Sequence, residues 1–317
     1  MPVHIAGTDS LHTRKSALTR NTGGRGIISF GFFAFRGNNM SMPDATKVLH
    51  GHPCFGGNRH KNGRIHLAVA PRCNITCAYC DRRHDCANES RPGVASRILT
   101  PRQALDEVRA TMHDERLRNI IKVVGIAGPG DPLANDETFE TFRLIKEEFP
   151  ELIFCLSTNG LMLPDRMDEL ADIDLHSLTI TINALSPGVG ACIYRHVTYR
   201  GTRYTGSEGA ALLIERQLEG LRLAAHAGLV VKVNTVLIPG INDQQIPLIA
   251  EKVAGLGAYV MNIMPVIPQA ELAAVTPPTV DYLESVRAAN EGIIGQFRGC
   301  RQCRADAVGL IGGGCAA

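Results

Sequence analysis

Tryptophan is absent from the 317 residues of this chain, and aromatic residues of all kinds make up only 5%. Basic and acidic residues nearly cancel, 33 against 31, which leaves a formal net charge of +2 and no basic stripe. Nucleic-acid binding usually relies on clustered Lys and Arg with interleaved aromatic rings, so this composition gives it little support. No apolar run approaches the roughly 20 residues that a membrane-spanning helix requires. We therefore expect a cytoplasmic protein that binds neither nucleic acid nor membrane.

The first 45 residues differ in composition from the rest of the chain. They are rich in Arg and Lys and contain only two acids, Asp9 and Asp44. Their apolar run, residues 27–35, is too short to span a membrane, and no cleavage site of small residues follows it. We expect the functional start at Met40 or Met42, with residues 1–45 a disordered or spurious extension. Residues 46–310 then form the functional domain and residues 311–317 a tail.

What the chain does have is cysteine, ten residues in all. Cys73, Cys77 and Cys80 are spaced C-x3-C-x2-C directly after the apolar run 65–71. Three thiolates on so short a loop can hold three irons of a [4Fe-4S] cluster, which leaves the fourth iron without a protein ligand. A structural zinc site is the alternative, but it requires a fourth ligand and favours two C-x2-C pairs. The spacing therefore favours an iron–sulfur cluster with one open iron.

This motif resembles that of the radical S-adenosylmethionine (SAM) enzymes. In that superfamily the amino and carboxylate groups of SAM chelate the open iron. One electron from the cluster then breaks a carbon–sulfur bond of SAM and yields a 5′-deoxyadenosyl radical. The resemblance implies that SAM is a cofactor and that Cys73, Cys77 and Cys80 are the catalytic residues.

From residue 65 onward, short β-rich runs alternate with helical patterns. Strands are predicted at 65–70, 120–127, 152–158, 177–183, 230–237 and 259–265. Helices are predicted near 101–113, 136–149, 165–171, 207–227, 246–256 and 279–296, the first of them opened by a capping box at Thr100 and Gln103. Strict alternation predicts a parallel sheet with right-handed crossovers. We expect an α/β fold, the partial (β/α)6 TIM barrel of radical SAM enzymes, with N- and C-terminal cluster-binding extensions.

Polar side chains gather on one face of several predicted strands. Side chains alternate along a strand, so Cys155, Ser157 and Asn159 share a face, as do Lys232 and Asn234. A lumen lined by such residues indicates a polar ligand cavity, although each asparagine alone could simply cap a strand end. Glycines after the second strand also allow close approach of a ligand to the backbone. The predicted SAM-binding residues are Gly128, Gly130, Ser157, Asn159, Thr181, Asn183, Asn234 and Ile238.

Seven cysteines lie outside the motif, and five of them suggest further cluster sites. Cys300 and Cys303 form a C-x2-C pair, which is half a site, and Cys155 is a candidate third ligand if it faces the lumen. Cys54 and Cys86 flank the motif, and an imidazole could complete a second site with them. His66 on the first strand is the candidate, placed on one face with Ala68 and Ala70, while His52 and His60 remain alternatives. Two cysteines have no such partners: Cys192 and Cys315.

Taken together, the chain's motifs resemble the NifB family of radical SAM enzymes, the maturases of the nitrogenase iron-molybdenum cofactor. The resemblance extends in register from residue 52 to about residue 310. The matching stretches are 52–55, 69–71, the cysteine motif, 85–93, 125–133, 155–161, 179–184, 204–206, 231–234 and 300–309. No NifX-like domain follows residue 310, so we expect the stand-alone form of the family.

The resemblance implies an enzyme of nitrogen fixation that fuses two [4Fe-4S] clusters with a SAM-derived carbide into the [8Fe-9S-C] precursor, NifB-co. The reaction involves methyl transfer from one SAM and hydrogen abstraction by the radical from a second. It implies three [4Fe-4S] clusters, one that binds SAM and two that are auxiliary substrates. Carried over by position, the cluster ligands fall into three sets: Cys73, Cys77 and Cys80; Cys54, His66 and Cys86; and Cys155, Cys300 and Cys303.

The resemblance also implies partners. These are a NifU-like cluster donor, a NifX-like carrier, a NifEN-like scaffold acceptor and an electron donor.

Two other functions stay open from the residues alone. One is a different radical SAM enzyme with auxiliary clusters, and the other is a non-catalytic iron–sulfur scaffold. The scaffold would need no SAM pocket, so the Gly128–Gly130 turn and the inward-facing asparagines argue against it.

Overall fold

The structure is a computed structural model that describes residues 45–56, 59–81 and 92–312, all within the compact unit Met40–Ala317. The strands in these ranges are β1 Gly63–His66, β2 Ile75–Cys77, β3 Ile121–Ile126, β4 Ile153–Thr158, β5 Ser177–Thr181, β6 Tyr194–Tyr199, β7 Thr202–Thr205, β8 Val230–Leu237, β9 Val260–Pro265 and β10 Val308–Leu310. The α-helices are α1 Ala45–Gly51, α2 Pro101–His113, α3 Asp136–Glu148, α4 Met167–Asp172, α5 Pro187–Ile193, α6 Gly206–His226, α7 Ile246–Gly255 and α8 Val280–Asn290.

The main sheet has seven strands in the order β10-β1-β3-β4-β5-β8-β9. All neighbours are parallel except β10, which pairs antiparallel with β1. The six predicted parallel strands and the crossover helices between them are present, so the predicted partial barrel is confirmed. A sheet of this kind curls into half of a barrel because parallel strands twist with a fixed hand.

Two predicted element boundaries are wrong. The first strand begins at Gly63 and ends at His66, so it does not extend to residue 70. Beyond it, Ala68 O accepts a hydrogen bond from Leu99 N at 3.0 Å, and Ala70 makes only an isolated bridge to Pro129. The last helix ends at Asn290 rather than 296 because the following backbone pairs with β9 instead, with Phe297 N donating to Met261 O at 2.7 Å.

The two faces of the main sheet differ as the strand alternation predicts. Its outer face packs on the helices through buried apolar side chains such as Val124, Phe154, Leu178, Val231 and Ile263. The inner face carries the alternate residues, which are largely polar, and it surrounds the hollow that we call the lumen. Residues paired across the strands stand side by side on that face: His66, Gly125, Cys155 and Ser177 in one row, and Ser157, Thr179 and Lys232 in the next.

Several short elements escape sequence-based prediction, among them helix α1 and strands β2, β6 and β7. Helix α1 lies at one end of the lumen, where Val48 packs with the inner-face residues Val123 and Ile153. Strands β2, β6 and β7 form a separate antiparallel sheet beside the main one.

The capping box predicted at the start of α2 is confirmed, with Gln103 N donating to Thr100 Oγ1 and Thr100 N to Gln103 Oε1. Within the described ranges, no helix is both long and apolar enough to cross a membrane.

Candidate active site

The cysteine loop, residues 71–81, is held at its centre by the small antiparallel sheet. Strand β2 ends at Cys77, and Ile75 pairs with Val197 on β6. Immediately after β2, Ala78 N donates to Ile193 O at 2.8 Å, and Cys80 N donates to Cys77 O at 3.1 Å. The thiols of Cys73, Cys77 and Cys80 are all partly buried and form no disulfide. Backbone pairing therefore fixes the path of the loop that carries these three thiols.

Gly130 fixes the start of the cysteine loop through its backbone. Gly130 N donates to Ala70 O at 2.6 Å, and Asp131 N donates to Arg72 O at 2.8 Å. A Cβ on Gly130 would lie 2.1 Å from Arg72 O, a distance that no side chain could adopt. Gly128, also predicted to bind SAM, is buried and has a φ of 134°, which favours glycine. The glycines thus bring the end of β3 into direct backbone contact with the residue before Cys73.

Asp131 joins the same turn to the end of β4. Its buried carboxylate accepts hydrogen bonds from Leu133 N at 3.0 Å, from Thr158 Oγ1 at 2.9 Å and from Asn159 N at 2.6 Å. Burial raises the pKa of Asp131 to about 6, and these three donors oppose that rise. Sequence analysis missed this residue, although its position in the Gly-Pro-Gly-Asp-Pro run was available as a signal. Asp131 therefore holds two neighbouring strand ends beside the cysteine loop.

The raised pKa of Asp131 predicts a pH-dependent contribution to stability. A folded-state pKa of about 6, above the ordinary 3.8, means that the folded chain binds this proton more tightly than the unfolded chain. Lowering the pH from 7 to 5 should therefore raise the free energy of unfolding of the wild type, relative to Asp131→Asn, by about 1 kcal/mol. Denaturant unfolding of both metal-free chains across this pH range measures the difference. A difference that stays constant or shrinks toward pH 5 would contradict the prediction.

Two of the predicted polar residues contact the cysteine loop directly. Asn159 Nδ2 donates to Asn74 Oδ1 at 2.7 Å and lies 3.8 Å from Cys73 Sγ. Asn183 Nδ2 donates to the hydroxyl of Tyr79 at 2.8 Å, while Asn183 Oδ1 accepts from Val236 N at 2.9 Å. Both asparagines thus link strand ends to the cysteine loop. Many of their hydrogen bonds are those expected of residues that cap strand ends, which was the alternative to SAM binding.

The other predicted SAM-binding residues fall into two groups. Ser157, Thr181 and Asn234 lie on the inner face with their side chains partly exposed, and Asn234 Oδ1 accepts from Asn262 Nδ2 at 2.9 Å. Ile238 is fully buried in an apolar cluster that also contacts Cys73 and Cys77. Ser157 and Thr181 thus lie near the carboxyl ends of β4 and β5, Ile238 directly follows β8 and Asn234 lies within β8. The contact of these residues with SAM stays a prediction.

Tyr79, the residue before Cys80, has its hydroxyl buried beside Cys77. Burial raises the pKa of Tyr79 well above its ordinary value, and the neighbouring Cys77 thiol adds to that rise through its charge and a hydrogen bond. Because the hydroxyl accepts from Asn183, its own proton is directed toward Cys77. Donation of a hydrogen bond to a cluster thiolate is one way in which a protein tunes the cluster's reduction potential.

In the lumen, glycine brings an imidazole and a thiol together. Gly125 stands between His66 on β1 and Cys155 on β4, and a Cβ there would lie 3.0 Å from both side chains. His66 Nδ1 lies 3.1 Å from Arg304 O, which can only accept, so Nδ1 carries the proton and Nε2 keeps its lone pair. Burial and the nearby Arg64 lower the pKa of His66 to about 4, and the imidazole is therefore neutral at pH 7. A neutral imidazole oriented by a backbone carbonyl is a suitable metal ligand.

The alternative imidazoles are less suitable. His52 Nδ1 accepts the backbone N–H of Cys54 at 3.1 Å, so its lone pair is occupied. Burial lowers the pKa of His52 well below its ordinary value, which keeps the ring neutral with its proton on Nε2. That Nε2 atom is buried and has no hydrogen-bond partner among the described residues. His60 is exposed on the surface. These contacts favour His66 over His52 and His60 as a ligand, and its binding to a cluster stays a prediction.

The remaining predicted ligands at the lumen come from three distant parts of the chain: Cys54, Cys155, and the pair Cys300 and Cys303. Burial raises the pKa of Cys54, and the nearby Cys303 and Cys300 add to that rise because a thiolate on either would repel one on Cys54. Burial likewise raises the pKa of Cys155 to about 12, with a further contribution from Cys54. Cys300 Sγ lies 3.6 Å from Met264 Sδ at the end of β9. The structure therefore places Cys54 close enough to Cys155, Cys300 and Cys303 for a charge on any of these sulfurs to act on it.

Two buried cations accompany these thiols, and sequence analysis assigned a site role to neither. Arg64 Nη2 donates to Cys303 Sγ at 3.1 Å and its Nη1 to Leu310 O at 3.2 Å. Lys232 is only 6% exposed, with Nζ 4.9 Å from the centre of the Phe55 ring and 5.2 Å from that of Phe297. Ring contacts of this kind contribute about 0.5–2 kcal/mol each. Burial of an ammonium costs several kcal/mol, so the rings alone do not compensate for it.

Three of the cysteines need separate mention. Cys86, predicted to complete the site of Cys54 and His66, lies outside the described residues, as does Cys315. Cys192 is exposed on α5. In the described ranges, no three His, Cys, Asp or Glu side chains surround a point where a single metal ion would bind. That geometry differs from the one a cluster requires, because each thiolate of a [4Fe-4S] cube binds a different iron.

Comparison with known proteins assigns the chain to a family. Residues 67–253 match the Radical SAM superfamily. The FeMo cofactor biosynthesis protein NifB of Methanocaldococcus jannaschii is 47% identical over 279 residues, which cover 86% of this chain and 90% of that protein. The protein of the same name from Methanocaldococcus infernus is 46% identical over 273 residues, covering 85% and 89%.

Longer relatives match the same region. The NifB protein of Frankia alni is 44% identical over 282 residues, which cover 85% of this chain but 55% of that protein. The chain therefore spans about half the length of several curated relatives that it matches. Because the two Methanocaldococcus proteins are matched along nearly their whole length, the chain belongs to the radical SAM superfamily of enzymes and, within it, to the NifB family.

Proposed function

We propose that the chain catalyses a step of nitrogenase cofactor assembly: it joins two [4Fe-4S] substrate clusters and a carbide derived from SAM into the [8Fe-9S-C] precursor of the iron-molybdenum cofactor. The names of its relatives, FeMo cofactor biosynthesis proteins, support the pathway. One structural observation carries the proposal. Five predicted ligands from distant parts of the chain, Cys54, His66, Cys155, Cys300 and Cys303, line one lumen.

The residues of the cysteine loop fit a resident [4Fe-4S] cluster with SAM. Three partly buried thiols, Cys73, Cys77 and Cys80, would hold the cluster by giving one ligand each to three of its irons. Asn74 Nδ2 is buried with no hydrogen-bond partner among the described residues, and an N–H group in this position suits a thiolate or a sulfide acceptor. When bound, this cluster and SAM supply the electron and the 5′-deoxyadenosyl radical. The chain's own residues then orient SAM, and we propose Ser157, Thr181 and Asn234 for this because their side chains are partly exposed on the inner face.

The lumen residues suit substrates that must be released after they are joined. Each proposed site offers only three protein ligands, so a substrate cluster retains an iron that another group can bridge. His66 contributes a neutral imidazole rather than a thiolate, which lowers the negative charge that the site adds to its cluster. We also propose that a NifU-like donor, a NifX-like carrier, a NifEN-like acceptor and an electron donor act with the chain.

Anaerobic reconstitution followed by addition of SAM and a reductant tests the proposed function. We expect about twelve irons per chain, as three [4Fe-4S] clusters require. We also expect release of S-adenosylhomocysteine, from methyl transfer to a substrate sulfide, together with 5′-deoxyadenosine, from hydrogen abstraction. Release of 5′-deoxyadenosine alone would instead indicate another radical SAM activity. Full iron content without either product would indicate a scaffold or carrier, and about four irons per chain after exhaustive loading would refute the proposal.

A further inference from the structure

Lys232 is a buried cation with no anionic partner in the described part of the chain. It projects from β8 onto the inner face, and it forms no ion pair with a carboxylate of the described residues. The contacts of its ammonium are Cys54 O at 3.4 Å and the faces of two aromatic rings, Phe55 and Phe297. Since none of these contacts carries a negative charge, the charge of Lys232 calls for a further, anionic partner.

The aromatic rings of Phe55 and Phe297 indicate where an anionic partner of Lys232 would lie. Phe55 directly follows Cys54, and Phe297 lies three residues before Cys300. Lys232 therefore touches both the N-terminal and the C-terminal segment that carry proposed cluster ligands. The ammonium thus lies between the two groups of proposed ligands.

We propose that Lys232 is a substrate-positioning residue whose ammonium holds the anionic iron–sulfur substrate in the lumen, by its charge and by N–H···S bonds to cluster sulfides. This inference rests on the proposed function. A [4Fe-4S] core bound by three thiolates carries a net negative charge, which grows when the core is reduced. Lysine suits a substrate that changes shape, because its compact charge sits on a flexible four-carbon stem. Arg64, which is bonded to backbone carbonyls and to Cys303, is more tightly fixed.

The test compares Lys232→Met and Lys232→Arg with the wild type after identical anaerobic loading of the full chain. Methionine retains much of the volume without the charge, whereas arginine retains the charge. We expect Lys232→Met to lose auxiliary-cluster iron and to keep the SAM cluster. Any auxiliary cluster that it retains should show a more negative midpoint potential in a redox titration followed by electron paramagnetic resonance, because a nearby positive charge favours the reduced state. Lys232→Arg should retain most of the iron.

Thermal unfolding of the metal-free chains shows whether iron loss in Lys232→Met comes from the missing charge or from disturbed packing. Removal of an uncompensated buried charge should leave the melting temperature of Lys232→Met equal to or above that of the wild type. A lower melting temperature, equal iron loss in Lys232→Arg, or unchanged iron and potentials in Lys232→Met would each overturn the inference. A wild-type chain that binds only the SAM cluster would refute the proposed function itself, whatever the variants do.

Discussion

Replacing Cys155 with alanine is expected to remove about four of about twelve irons per chain and to leave the SAM cluster intact. Cys155 lies on the inner face of β4, beside His66 and close enough to Cys54 for their charges to interact. It lies on β4, a different element from the cysteine loop that carries the three cysteines assigned to the SAM cluster. Loss of its thiolate should therefore affect a substrate cluster alone. Because a chain with one substrate cluster cannot complete the fusion, formation of the product should cease.

Iron analysis and electron paramagnetic resonance after anaerobic loading measure this effect, and Cys192→Ala is the matched control. Cys192 is exposed on α5, where its thiol donates to Gly188 O at 3.6 Å, so its replacement should leave the iron content unchanged. Cleavage of SAM to 5′-deoxyadenosine should persist in both variants, since the cysteine loop is untouched. Wild-type iron content in Cys155→Ala would show that this thiol is no ligand.

The strands and helices of the barrel could be predicted because each has a strong local signal. Strand β4 alternates Phe154 and Leu156, which pack on the helices, with Cys155 and Ser157, which face the lumen. This alternation alone places Cys155 correctly. The cysteine spacing likewise identifies the SAM cluster without knowledge of the fold. In both cases the information lies within a few consecutive residues.

The contacts across the lumen could not be predicted, because they depend on strand register. Gly125 separates His66 from Cys155 only when β1, β3 and β4 are paired as they are, and local sequence does not fix that pairing. Lys232 shows the same limitation. Its place on the inner face follows from alternation, but its neighbours Phe55 and Phe297 come from segments 177 positions before it and 65 after it. Strand β2 was missed for another reason, since its three residues lie inside the cysteine motif and are too few to show a period.

Gly130→Ala is expected to displace the cysteine loop and to abolish SAM cleavage. The new Cβ would lie 2.1 Å from Arg72 O, 2.5 Å from Arg72 C and 2.8 Å from Pro71 O. All three atoms belong to the backbone, so no rotamer change relieves the overlap and the main chain before Cys73 must move. Overpacking of a rigid site typically lowers the free energy of unfolding by about 1–3 kcal/mol. Because the new Cβ of Gly130→Ala would meet backbone atoms, we expect a loss at or above the upper end of this range. The hydrogen bonds from Gly130 N to Ala70 O and from Asp131 N to Arg72 O would weaken together.

Gly255→Ala is the control for Gly130→Ala, because a Cβ at the end of α7 meets no atom within 4 Å. Alanine there should be neutral or stabilise the helix by about 0.5–1 kcal/mol. Denaturant unfolding and SAM-cluster absorbance are measured on both variants. If Gly130 served only to admit SAM, Gly130→Ala would retain its cluster and its stability and lose SAM binding alone. The contact of Gly130 with Arg72 instead predicts that Gly130→Ala loses both the cluster and stability. The reason is that the turn after β3 positions the backbone before Cys73, whether or not SAM is bound.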